Sequence, residues 1–261
     1  MSAADVRETY GPVALVTGAS SGIGRAFAER LAAEGLDLVL VARRADRLEE
    51  LAARLTATHG VAATPLVADL AAPDAADAIA AATAARDIGL VVSNAGYGMR
   101  GDHAGRDAAA ITAMLMVNAN APLRLAHRFI PRLRARGRGG LLFTGSVEGL
   151  IGCPYSTAYA ATKALVNALG EGLWGELTPD GIDVLTICPG ATDTEAMARQ
   201  GIDTSRFPHM MSPEAVADVA LANIRNGPVL VASAHYQAMF DQLRAMPRRE
   251  ALTAMARSMR I

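Results

Sequence analysis

Seven short apolar runs, separated by longer amphipathic stretches, limit what this chain can fold into. They lie at 13–17, 36–42, 63–68, 90–93, 141–144, 183–188 and 229–231. Each run is continuously apolar rather than alternating, the pattern of a strand covered on both faces, and the spans between them are long enough for crossover helices. The expectation is one α/β domain over 1–261, a doubly wound parallel sheet with helices on both faces. A 51% hydrophobic share with only 4% aromatic residues suits aliphatic strands under helices. No linker or fixed repeat divides the chain, and the Ala-rich stretch 71–85 reads as helix. The longest stretch without a period, about 190–211, ends at Ser212-Pro213-Glu214, a helix start with Ser as cap. It is the candidate lid.

The first run, VALVT, leads directly into TGASSGIG at 17–24. Gly18, Gly22 and Gly24 let the chain bend tightly and approach a ligand, and a helix from about Ile23 offers unpaired N–H groups to a pyrophosphate. The turn marks a Rossmann-type domain that holds a dinucleotide, the alternative being a purely structural turn. Ala42 ends the second run where an NAD-binding chain carries an acid for the ribose 2′-hydroxyl, and Arg43 and Arg44 follow. Guanidinium groups grip a 2′-phosphate that an acid would repel, so NADP(H) is expected in preference to NAD(H). The alternative makes both arginines solvated helix-start residues. Asp69, with Leu70 after the third run, reads equally as an acceptor for the adenine amino group or as a cap. Asn94-Ala95-Gly96 closes the fourth run, its small residues letting backbone pass near the adenosine ribose.

Tyr159 and Lys163 stand four apart in a stretch, 158–172, whose composition favours helix, so both project from one face. A neighbouring ammonium favours the phenolate, which suits general acid/base chemistry near neutral pH. Ser146 follows LLFTG at the carboxyl edge of the sheet, thirteen residues before Tyr159, where its hydroxyl can orient a substrate carbonyl. Tyr155 has no lysine four residues on and is expected to line the pocket.

These residues resemble the classical short-chain dehydrogenase/reductase family: TGxxxGxG as TGASSGIG, NAG as Asn94 to Gly96, an active-site Asn as Asn118, Ser146, YxxxK as Tyr159 to Lys163, and Pro189-Gly190. The match spans roughly 13–231. It implies Tyr159 as the acid/base, Lys163 binding the nicotinamide ribose and tuning Tyr159, Ser146 polarising the carbonyl, and Asn118 holding a water that relays protons. It further implies cofactor contacts from Gly18, Ser20, Ser21, Gly22, Ile23, Gly24, Arg43, Arg44, Asp69, Leu70, Asn94, Ala95, Gly96, Tyr159, Lys163, Pro189, Gly190 and Thr192. Thr194 resembles the family threonine near the carboxamide. Ser93 departs from the first Asn often found there. The implied activity is reversible hydride transfer between NADPH and a ketone or aldehyde. The alternatives are an NADP(H)-binding sensor or scaffold without turnover, and an epimerase or dehydratase of the same family.

Candidate pocket residues are Tyr97, Met99, Glu148, Ile151, Cys153, Tyr155, Met197, Ile202, Phe207, Met210 and Met211. This mostly apolar, adaptable set suits a medium-sized hydrophobic carbonyl compound, acyl or polycyclic, unless the methionines only pack the lid on the sheet. A net charge of −1 gives no field for nucleic acid or an anionic membrane. Cys153 and Cys188 form no CxxC pair and the five histidines no i, i+4 pair, so no disulfide framework or metal is expected. The start of the chain lacks a signal-peptide core and no window resembles a membrane span, which suits a soluble, cytoplasmic protein. Arg132, Arg134, Arg136 and Arg138 read as complements to a helix-end dipole. In the tail, about 235–261, Met239, Phe240, Leu243 and Met246, then Leu252, Met255 and Met259 after Pro247, make a basic amphipathic stripe. The stripe is assigned to subunit packing in a homodimer or homotetramer, with a membrane surface as the alternative.

Overall fold

The computed structural model describes residues 3–199 and 207–259. The seven apolar runs become seven strands: β1 (Val13–Thr17), β2 (Asp37–Ala42), β3 (Ala63–Val67), β4 (Ile88–Ser93), β5 (Gly139–Thr144), β6 (Ile182–Cys188) and β7 (Val229–Val231). They form one parallel sheet in the order β3-β2-β1-β4-β5-β6-β7. Leu15 is in register with Val39 of β2 on one side and Val91 of β4 on the other. Connections leave β1 in opposite directions here, which opens a crevice at the carboxyl ends of β1 and β4.

Side chains alternate between the two covered faces. Ala14, Val16, Leu38 and Leu40 face one layer, which contains α2 (Gly22–Ala33), α3 (Ala45–His59) and α9 (Pro213–Ala222), and pack with Phe27, Leu31, Leu48, Leu55 and Val216. Val13, Leu15, Val39 and Val41 face the other, with α4 (Ala75–Ala82), α6 (Ala121–Arg136) and α7 (Thr157–Leu177), and pack with Ile79, Leu125, Phe129, Leu133 and Val166. Each fully buried Leu or Phe contributes about 1.5–3 kcal/mol. Three further helices, α1 (Ala3–Tyr10), α5 (Ala108–Leu115) and α8 (Glu195–Arg199), precede β1, α6 and α9, and α10 (Ala234–Ala245) and α11 (Arg248–Met259) follow β7. The anticipated cap of α9 is present, with Ser212 Oγ accepting from Ala215 N at 3.1 Å.

Two expectations about polar and amphipathic segments are corrected. Of the four arginines around the end of α6, three tie the helix to neighbouring loops rather than only facing its dipole. Arg132 donates to the carbonyls of Thr83 and Arg86, Arg134 pairs with Asp180, and Arg136 reaches Asp87 and the Gly11 carbonyl. The stripe of the tail packs within the subunit. Tyr236, Phe240, Ala251 and Met255, on the two helices that Pro247 separates, are buried with Val147, Ile151, Cys153, Ala160 and Cys188. No helix among the described residues is long and apolar enough to cross a membrane.

Helix α1 has no strong sequence signal; Val6 and Tyr10 bury it, and Arg7 and Thr9 bond it to Gly35 and Arg225. Tyr10 is 1% exposed, and its Oη donates to Asp183 Oδ2 at 2.6 Å. Tyr10→Phe leaves that carboxylate short of a donor, and should cost about 1.5–3 kcal/mol, the range for hydrogen bonds to charged groups. Differential scanning calorimetry should show a Tm lower by several degrees, at about 2–4 °C per kcal/mol for a chain of this size.

Candidate active site

The crevice is built from the end of β1 upward. Gly18 and Gly22 take positive φ, +69° and +53°, conformations that only glycine adopts without strain. Ser21 precedes α2 in extended conformation but makes no side-chain cap, and the first turn carries no acid. The leading N–H groups of α2 are therefore open to an anionic ligand, and this cradle fits a dinucleotide pyrophosphate. Thr17 Oγ1 accepts from the Asn94 and Ala95 amides at 3.0 and 3.1 Å, and Asn94 Nδ2 returns to the Thr17 carbonyl at 3.1 Å. Asn94 Oδ1 also accepts from Thr144 Oγ1 at 3.1 Å, so one amide clasps the ends of β1, β4 and β5. Ser93, buried in β4, leaves this clasp in place. A Cβ on Gly96 would lie 3.1 Å from Asn118 Oδ1 and 3.3 Å from Lys163 Nζ, so a larger residue would crowd both catalytic candidates.

Asn118 sits in a five-residue π-helical turn, Met116–Asn120, inserted between α5 and α6. Its Oδ1 accepts from Tyr97 N at 3.0 Å, and its Nδ2 donates to the Tyr97 carbonyl at 2.9 Å and to Thr162 Oγ1 at 3.2 Å. Both amide hydrogens are engaged, so a relay water would meet the remaining Oδ1 lone pair or a main-chain carbonyl of this turn. Lys163, buried on α7, donates from Nζ to the Thr144 carbonyl at 2.6 Å, and burial lowers its pKa to about 8. Its Nζ lies 5.8 Å from the Tyr159 ring centroid. Ser146, two residues past the end of β5, is in extended conformation, and its Oγ accepts from Glu148 N at 3.1 Å.

The Tyr159 pKa is raised in this structure, against the lowering that a neighbouring ammonium favours. Burial raises the phenol well above its ordinary value, and the Glu148 carboxylate raises it further, while a hydrogen bond with Ser146 and the charge of Arg100 act in the opposite direction. The resting form is the neutral phenol. Burial also pushes the Cys153 and Cys188 thiols up to about 12, which leaves no thiolate nucleophile at neutral pH.

Beyond β2 the two arginines diverge. Arg44 Nη2 donates to Ser20 Oγ at 2.9 Å and Ser21 Oγ at 2.8 Å, and Nη1 pairs with Glu195 of α8 at 3.0 Å. Arg47 pairs with the other Glu195 oxygen, and with Arg44 it holds that carboxyl down at about 2. Arg43 is exposed and makes no hydrogen bond or ion pair with a described residue. Asp69 acts as a turn residue through Ala71 N at 3.0 Å, with its carboxylate still exposed, so both readings of it are compatible with its position. A Cβ on Gly22 would lie 3.2 Å from Thr194 Cγ2, which places Thr194 over the glycine turn. Thr192 is buried and bridges to Met211, and the Tyr236 ring covers Gly190, where any Cβ would overlap it. A groove of about 270 Å³ runs between Gly22 and Arg25 on one side and Asp193, Thr194 and Glu195 on the other.

On the substrate side, Tyr155 holds φ +60°, a strained conformation for a non-glycine residue, at the turn into α7. Ile151 and Cys153 are buried in the cluster under the tail rather than lining open space, and Met197 is buried as well. Phe207 lies 5.9 Å below the Arg100 guanidinium. Ile202 and the middle of the lid, 200–206, lie outside the described residues. Among the described residues, no three His, Cys, Asp or Glu side chains are placed to hold a metal ion. Arg100, Thr144 and Thr162 were missed from sequence, since an isolated Thr or Arg carries no spacing signal.

A parallel sheet with this strand order, a glycine turn opening a helix at its crevice, and Ser146, Tyr159 and Lys163 gathered beside it define a nicotinamide-dependent oxidoreductase of carbonyl and alcohol groups. Residues 12–204 match the family described as short chain dehydrogenase, and the chain belongs to that family. It is 35% identical over 188 residues to a 7beta-hydroxysteroid dehydrogenase of Clostridium sardiniense, covering 72% of each chain. Two solved structures are also similar. A short-chain dehydrogenase from Sphingobium yanoikuyae in complex with NADPH is 39% identical, with TM-score 0.83 over 94% of this chain and 95% of that one. A bulky-bulky ketone specific alcohol dehydrogenase from Comamonas testosteroni is 35% identical, with TM-score 0.77 over 90% and 93%.

Proposed function

We propose that this chain is an NADPH-dependent reductase of a bulky, hydrophobic ketone or aldehyde. The observation that carries the reading is that Asn118 and Lys163 close on Gly96, while Lys163 also lies beside the Tyr159 ring, whose phenol is hydrogen-bonded with Ser146. When bound, NADPH supplies the hydride. Ser146 Oγ donates to the carbonyl oxygen, and Tyr159, resting as the neutral phenol, delivers the proton that completes the alcohol. Lys163 holds a ribose, with the Thr144 carbonyl fixing its ammonium. The exposed Arg43 and the turn-bound Arg44 take the 2′-phosphate.

Relatives named for a steroid and for bulky ketones support a large apolar substrate. Exposed Leu115, Leu123 and Leu165 on α5, α6 and α7 support contact between subunits of a homo-oligomer, and the protein is assigned to the cytoplasm. NADPH oxidation followed across ketones and aldehydes of increasing chain length and ring number tests the reading. The kcat/KM should climb with apolar bulk, by about tenfold or more per methylene at well-packed positions. A flat series would remove the hydrophobic-substrate assignment, and tight NADPH binding with no turnover would favour a sensor.

A further inference from the structure

Glu148 is half-buried, with its side chain 15% exposed, two residues after Ser146 in the 3₁₀ turn Val147–Gly149. Its carboxylate joins two other segments of the site. Oε1 accepts from Arg100 Nη2 at 2.8 Å, on the loop after β4 that also carries Tyr97. Oε2 accepts from Ser156 Oγ, on the residue preceding α7 and one turn before Tyr159. The Glu148 amide meanwhile holds Ser146 Oγ. One side chain thus links the loop that pairs with Asn118, the turn that carries Ser146, and the start of the helix that carries Tyr159 and Lys163.

We propose that Glu148 is a positioning residue of this site: its carboxylate ties these three segments together and sets where the Ser146 hydroxyl and the Tyr159 phenol meet. This rests on the reductase reading and adds to it a residue with no part in the hydride or proton transfer. The carboxylate also acts electrostatically. The groups facing Tyr159 are Glu148 from the β5 turn, Arg100 from the β4 loop, Cys188 from β6, and Ser146; Lys163 lies near its ring on α7 itself. The only carboxylate among them is Glu148, and it favours the protonated phenol. Lys163, in contrast, is shifted by burial and Cys188.

The test compares wild type, Glu148→Gln, Glu148→Ala and Glu148→Asp on the best ketone of the panel and its alcohol. Glu148→Gln keeps an oxygen that accepts from Arg100 and offers an N–H that the Ser156 hydroxyl can accept by rotating, but loses the charge. The rise of alcohol oxidation with pH, which follows formation of the phenolate, should begin at lower pH, while the decline of reduction governed by Lys163 stays in place. Glu148→Ala should lower kcat by about 10–100-fold with a smaller effect on KM, as loss of placement does, and Glu148→Asp should recover part of it. A Gln variant with wild-type pH profiles overturns the proposal, as does equal loss in Gln and Ala with no shift of the oxidation limb. Hydrogen exchange across 144–160 in the substrate-free protein needs no turnover. It should speed up in Glu148→Ala with the sheet unchanged; unaltered protection refutes the bracing role even if wild type turns over no panel member, a result that would instead count against the reductase reading.

Discussion

Tyr159→Phe is expected to lower kcat for carbonyl reduction by about 10²–10⁴-fold, the usual worth of a positioned general acid, while NADPH binding measured by fluorescence titration stays as in wild type. Phenylalanine keeps the ring and removes the hydroxyl that would give the proton. Burial first and the Glu148 charge second keep the Tyr159 phenol protonated, so it starts the reaction as a donor. In reduction the proton moves from phenol to the nascent alkoxide, and the phenolate left behind is stabilised by the nearby Lys163 ammonium. That charge has a limit in pH. Lys163 titrates at about 8 because burial penalises its charged form. It is charged below that value and neutral above it, so kcat/KM for reduction should hold near neutral pH and fall above about 8. A variant that retains reduction, or a wild-type profile still rising past that pH, would remove Tyr159 and Lys163 from these roles.

The sheet was legible in the sequence because a doubly covered strand leaves an uninterrupted apolar run; the runs at 13–17 and 229–231 matched β1 and β7 at both ends. The ends that slipped have a plain cause. Strands β4 and β5 begin at Ile88 and Gly139, before their apolar runs, because Gly89, Gly139 and Gly140 extend the ladder without hydrophobic side chains. The glycine turn, Ser146, Tyr159 and Lys163 carried fixed spacings and were found. The π-helical turn at Asn118 was not, because inserting one residue into a helix shifts the hydrogen bonds without changing residue types. Nor was the tail placed: periodicity shows that Phe240 and Met255 share an apolar stripe, but cannot say whether their own subunit covers it. The direction of the Tyr159 shift failed for a related reason, since spacing brings an ammonium near a phenol yet carries no measure of how dry the site is.

Replacing Arg43 by Ala should weaken NADPH binding by tenfold or more, as a charge-assisted hydrogen bond contributes about 1.5–3 kcal/mol and about 1.4 kcal/mol is tenfold, and should leave NADH nearly untouched. Arg44→Ala should behave differently. Arg43 is exposed and makes no hydrogen bond or ion pair with a described residue, so a 2′-phosphate would gain its attraction without taking it from such a partner. Arg44 already joins Ser20 and Ser21 of the glycine turn to Glu195 of α8. Removing it loosens the turn that both cofactors share and takes one arginine from Glu195, so KM should rise for NADH as well as NADPH. Adding Ala42→Asp to Arg43→Ala places an acceptor where the ribose 2′-hydroxyl of NADH can donate and a 2′-phosphate is repelled, and the preference should reverse. Salt offers an independent check: 0.5 M NaCl should raise KM for NADPH in wild type far more than in Arg43→Ala, because an exposed guanidinium is screened within about one Debye length. If the ratio of NADPH to NADH efficiency is unchanged in the double variant, the assignment of both arginines to the 2′-phosphate is wrong, and the pair at the end of β2 serves only to tie the glycine turn to the lid.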